Sequence, residues 1–181
     1  MKDAMKDVTT FVKNVVPTNT QMFTTWAWWV SLAVIVLHVL RITPSYVAAG
    51  MFPVTLLVLI IGSGMYVKCT TTKVCEQRYY LNYSKKHNFK QNTKPEFDAI
   101  ISPDNLGTHI MPLLLICLAL LTRSSHSTYG QRATIATVFV SIYLLHGYFI
   151  GPNITDSYHN IPQNWAILLI IATLLASLIP V

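Results

Sequence analysis

The chain has 181 residues, 52% of them hydrophobic and only 11% charged, and a formal net charge of +6. Soluble domains carry about 25% charged residues, so this composition is at odds with an ordinary soluble domain and points to a membrane protein. Much of the positive charge is gathered between Lys68 and Lys94, which reads as an orienting, lipid-facing segment and sets nucleic acid aside as a partner.

The first 14 residues contain Lys2, Asp3, Lys6, Asp7 and Lys13, with no apolar core and no small-residue cleavage site. They do not read as a signal peptide. A spanning helix needs about 20 apolar residues, and five stretches come close to that. The first, 22–40, starts through Trp26, Trp28 and Trp29, as an interfacial aromatic belt would. The second is 46–67, the third 106–122, the fourth 133–150 and the fifth 165–181. The fifth is short, and its pattern also fits a helix lying in the interface. These segments predict an all-α integral membrane protein, a single domain built as a bundle of about five transmembrane helices.

The segment 68–105 is the only long polar one, with seven Lys or Arg and four Asp or Glu. It is the expected docking surface for a protein partner or a lipid headgroup layer. Five spans put the N-terminus, this loop and the 151–164 loop on one side, which collects ten Lys or Arg against three on the other. The positive-inside rule makes that side cytoplasmic. The sequons at Asn82 and Asn153 fall there too and are expected to carry no sugar. Of the three cysteines, Cys117 sits in an apolar run as a packing residue, while Cys69 and Cys75 either pair or stay reduced.

Ionisable residues within spans are costly and face the bundle interior or a watery cavity. His109 and His146 fall near the cytoplasmic ends of the third and fourth stretches. Asp104, Asn105, Asp156 and His159 flank them in sequence, and Thr24 and Thr25 open the first stretch on the same side. One face thereby gathers hydroxyls, imidazoles and carboxylates. His38 lies at the opposite end. Each residue also has a plainer reading: histidines reaching headgroups, threonines capping a helix, hydroxyls packing helices together. Gly62-Ser63-Gly64 reads as a close helix contact or a flexible exit.

Ser102-Pro103 is a good helix start, with serine as cap and proline at the first position. A helix begun there carries Pro112 in its interior and leaves the Thr108 carbonyl without its donor. A helix begun at Thr108 instead puts Pro112 harmlessly in its first turn. Both readings are open from the sequence.

The stretch "NLGTHIMP", Asn105 to Pro112, is similar to the Asn-x-Gly-x-His segment of the androgen-induced-gene (FAR-17a) family of membrane proteins. "LLTRSSHSTY" resembles that family's Arg-Thr-Ser-His segment, and "FVSIYLLHGYFIGP" its next helix, so the likeness runs over about 105–162. The resemblance implies a multipass hydrolase of fatty-acid esters of hydroxy fatty acids. Its intramembrane histidine would be His109, and its threonine nucleophile Thr24 or Thr25. The chain has one apolar stretch fewer than the family's six. Similar Asn…His…Pro helix starts also occur among uncharacterised multipass proteins of large DNA viruses, which implies an envelope or virion-membrane component.

Three functions follow as expectations. One is a lipid-ester hydrolase with Thr24 or Thr25 as nucleophile and His109 as base, supported by Asn105, Asp104, His146, Asp156 and His159 and using no cofactor. The second is a non-catalytic structural or assembly protein of an endomembrane, such as the endoplasmic reticulum, or of a virion membrane. The third is a metal site drawn from His109, His146 and His159 with an aspartate, since imidazole and carboxylate suit zinc or iron.

Overall fold

A computed structural model describes residues 23–71, 98, 100–122, 126–149 and 164–181. Most of the basic loop, both sequons, Cys75, Asp156 and His159 lie outside the described residues. All regular structure among the described residues is helical, in five rods: α1 (Phe23–Val39), α2 (45–71), α3 (103–122), α4 (Tyr129–Phe149) and α5 (Trp165–Ala176).

Local chemistry fixes the helix ends. After α1 the Ile42 amide donates to Leu37 O at 2.9 Å and the Arg41 amide to His38 O at 3.0 Å. That paired pattern is a Schellman stop, and Arg41 takes its left-handed position with φ 58°. Pro44, extended, then leads into α2. Ser102 caps α3, its Oγ accepting from the Asn105 amide at 3.3 Å, with Pro103 at the first position. Thr128 and Gln131 cap α4 reciprocally: the Thr128 amide donates to Gln131 Oε1 at 3.0 Å, and the Gln131 amide to Thr128 Oγ1 at 3.3 Å.

Two rods carry π segments, in which the backbone bonds reach one residue farther than in an α-helix. In α2 this is Val58–Ser63, between α-helical Ser45–Leu57 and Gly64–Thr71. In α3 it is Leu106–Ile110, between Pro103–Asn105 and Met111–Thr122. The two π segments pack on each other.

The central rod is α2, which touches all four others. Its closest approach is to α4: a Cβ added to Gly50 would lie 2.5 Å from Cβ of Ile135. The core between the rods holds Met51, Val54, Ile116, Ala136, Val140 and Tyr143. Phe23 closes one end, edge-on to Phe139 at 5.6 Å and to Tyr143 at 5.0 Å between centroids.

Large apolar side chains also face outward at helical spacing: Leu114, Leu118 and Leu121 on α3, Val138, Ile142 and Leu145 on α4, Ile167, Ile171 and Leu175 on α5. A soluble bundle puts polar residues there. Against the expectation of five spans, one helix among the described residues is long and apolar enough to cross a membrane: Ser45–Val67, 23 residues of mean hydropathy 2.1. The others fall short for separate reasons. Phe23–Val39, Leu106–Thr122 and Trp165–Ala176 are apolar but shorter. The last, with 12 residues, is about 18 Å long against a hydrocarbon core of about 30 Å. Helix α4 is 21 residues long but is diluted by Gln131, Arg132, three hydroxyl residues and His146.

Candidate functional site

The two facing π segments surround His109. Its Nδ1 lies 2.9 Å from Oδ1 of Asn105, one turn back on the same helix. Asn105 is fully buried, and its amide nitrogen donates twice: to Ser63 Oγ on α2 at 2.9 Å and to the Ile100 carbonyl at 2.9 Å. A carbonyl only accepts, so the bond to Ile100 O fixes which end of the amide is nitrogen. Oδ1 therefore faces the imidazole. An amide oxygen also only accepts, so Nδ1 of the neutral ring carries the proton and Nε2 carries the lone pair. This chain of donors defines the chemistry of the site: Nε2 is the group able to take a proton or bind an electrophile.

Gly62 makes room for the ring. A Cβ at position 62 would lie 3.1 Å from Nε2 and still closer to Cδ2. Tyr66 stands over the other side, its ring centroid 5.8 Å from the imidazole, and its hydroxyl accepts from Ser102 Oγ at 3.0 Å. Ser63, Gly62 and Tyr66 all come from α2, so the cluster ties α2 to the start of α3. None of the three is singled out by the sequence in this role. The signal was there, however, in the Gly-Ser-Gly run inside the longest apolar helix, which reads as a close helix contact without naming its partner.

The start of α1 also borders the site. Trp28 Nε1 donates to the Gly107 carbonyl at 3.1 Å, and Trp26 stacks at a tilt on His146, 4.8 Å between centroids. Both histidines thus lie near the beginning of α1. Thr24 and Thr25, one turn before Trp28, are 4% and 2% exposed, and neither hydroxyl has a hydrogen-bond partner among the described residues. The Thr–His hydrogen bond that nucleophile activation needs is therefore not formed in this state. Buried polar atoms of this kind are rare in folded proteins, and each costs about 1–3 kcal/mol. Ser31 and both ring nitrogens of His38, farther along α1, are buried and unpaired in the same way.

Asp104 sits in the first turn of α3, but its side chain, with Asp156 and His159, lies outside the described residues. Among the described residues no three His, Cys, Asp or Glu side chains converge as metal ligands would. Comparison of the chain with protein-family models, curated proteins and solved structures finds no match in any of them.

Proposed function

We propose that this chain is a multipass helical membrane protein whose working centre is the Asn105–His109 pair, with Nε2 of His109 as the base in the hydrolysis of a lipid acyl ester. The membrane half of this reading is supported by the outward apolar stripes on α3, α4 and α5, which lipid solvates and water does not. The chemical half is carried by one observation: the Ile100–Asn105–His109 bond chain, which presents a lone pair at Nε2 in an apolar interior.

The nucleophile in this scheme is Thr24 or Thr25, whose buried hydroxyls have no competing partner among the described residues. The threonine Oγ attacks the ester carbonyl as its proton passes to Nε2. The alcohol leaves with that proton, and water then releases the fatty acid by the same route in reverse. Catalysis needs the hydroxyl within about 2.6–3.2 Å of Nε2, a contact that commonly tightens only with substrate bound. The likeness to the FAR-17a family points to the same chemistry. The basic face of the chain, with its N-terminus and the 68–105 loop, is cytoplasmic in this reading, in an endomembrane or a virion membrane.

A second reading is a non-catalytic membrane component. It is favoured by the unformed Thr–His bond and by the way Asn105 clamps α3 onto Ser63 of α2. Labelling the reconstituted protein with an acyl-transfer hydrolase probe separates the two. The hydrolase reading expects His109→Ala to cut labelling by about 10²–10⁴-fold, with Thr24→Ala or Thr25→Ala abolishing it. Labelling that survives all three changes leaves the structural reading.

A further inference from the structure

We propose that Trp28 is a positioning residue for His109: its indole N–H selects the π register of α3 over the α register, and so decides where the imidazole stands. The inference deepens the reading of His109 as the working group, and its test reads the ring itself, independent of any turnover.

The argument is a count of donors and acceptors. At the start of α3 the Leu106 amide bonds Ser102 O, four residues back, in ordinary α register. By Met111 the register has slipped: its amide bonds Leu106 O, five residues back. Pro112 has no N–H, so the carbonyl it would have served loses its main-chain donor in either register. In α register Met111 would serve Gly107, and Thr108 would be left, facing Pro112. In π register Met111 serves Leu106, and Gly107 is left, since its donor five residues on is Pro112; the return to α register beyond it passes over one more carbonyl. The Trp28 indole, from α1, lies 3.1 Å from the Gly107 carbonyl. An unpaired carbonyl in an apolar interior is costly, because nothing there replaces the water it has lost. Trp28 therefore shifts the balance towards the π register, because it pairs the Gly107 carbonyl that only this register frees.

Closing the π segment would turn the residues before it by about 100° and shift them by about 1.5 Å relative to the apolar run after it. Ile116 and Ala119 are fully buried in that run and hold it in place, so the movement falls on Asn105 and His109. Asn105 would leave Ser63, and the ring would leave its niche over Gly62.

The test uses full-length protein, labelled with ¹⁵N in its histidine rings, in detergent micelles. Wild type, Trp28→Phe and the Trp28→Phe/Pro112→Ala double variant are compared by nitrogen shifts and by thermal unfolding. Wild type gives a single His109 signal with Nδ1 protonated. Trp28→Phe keeps an aromatic ring but removes the donor. It is expected to melt lower and to show both tautomers in comparable amounts. Adding Pro112→Ala restores a donor for every carbonyl in α register. The double variant is therefore expected to recover the lost stability while its ring signal stays mixed. A wild-type ring signal in Trp28→Phe overturns the proposal. So does a wild-type signal in the double variant, or a double variant no more stable than Trp28→Phe. Should Trp28→Phe fail to fold, the double variant alone decides by the same criteria.

Discussion

Asn105 commits its main-chain amide and both side-chain polar atoms: the amide to Ser102 Oγ, the side-chain nitrogen to Ser63 Oγ and Ile100 O, and the side-chain oxygen to His109. Replacing it with leucine, of similar size, strands three partners at once: the buried His109 ring and the part-buried Ser63 hydroxyl and Ile100 carbonyl. Each stranded group costs about 1–3 kcal/mol, so Asn105→Leu is expected to lower the unfolding midpoint in denaturant titration more than any other single change in the cluster. The paired glycines of α2 give a sharper contrast. At Gly62 a methyl group would run into the imidazole, whereas at Gly64 nothing lies within 4 Å of an added Cβ. Gly62→Ala is expected to destabilise by about 1–3 kcal/mol, as overpacked sites do. Gly64→Ala should stabilise by up to about 1 kcal/mol through helix propensity. Thermal melts in one detergent that rank the two variants the other way would refute the placement of His109 over Gly62.

At the scale of elements, α5 is held by a cation. Arg132, 5% exposed, donates from Nε to Ser177 O at 3.0 Å and from Nη1 to Ser127 O at 2.7 Å and Ser127 Oγ at 3.1 Å. A guanidinium against the last carbonyls of a helix suits that helix's negative end. Arg132→Leu leaves two carbonyls unpaired, so hydrogen exchange is expected to rise sharply across 164–181 while amides of α1 and α3 keep their protection. Uniform exchange throughout would show that α5 is not separately tethered. The existence of these rods was legible in the sequence because apolar runs of 12 or more residues have few alternatives to helix. Ser102-Pro103 likewise marked the true start of α3. The π segments were not legible, since side-chain periodicity does not record whether a backbone bond reaches four residues back or five. That is why the carbonyl orphaned by Pro112 is Gly107 and not Thr108. The partners of Asn105 and His109 were hidden for another reason: Ser63 is 42 residues away in sequence, and no local pattern encodes a contact of that kind.

The whole molecule poses the question of its solvent. Helix lengths alone leave it open, with one rod long and apolar enough to span. The surface speaks more directly. Leu114, 54% exposed, and Ile142, 51% exposed, sit in mid-helix within outward apolar stripes. In water, placing arginine at such positions is nearly neutral, within about 0.5 kcal/mol, because an exposed surface change touches no packing. In a bilayer the same change puts a charge in hydrocarbon and costs about 2.5–3.5 kcal/mol at the helix centre on insertion scales. Leu114→Arg and Ile142→Arg are therefore expected to reduce the fraction of newly made protein that resists alkaline extraction from membranes. The same substitution at Leu121, 84% exposed at the end of α3, should be tolerated, since a long cationic side chain there can reach the headgroups. Equal tolerance at all three positions would mean that the stripes face water and that the bundle is a soluble one. The depth dependence is the decisive part, because only a membrane distinguishes the middle of a helix from its end.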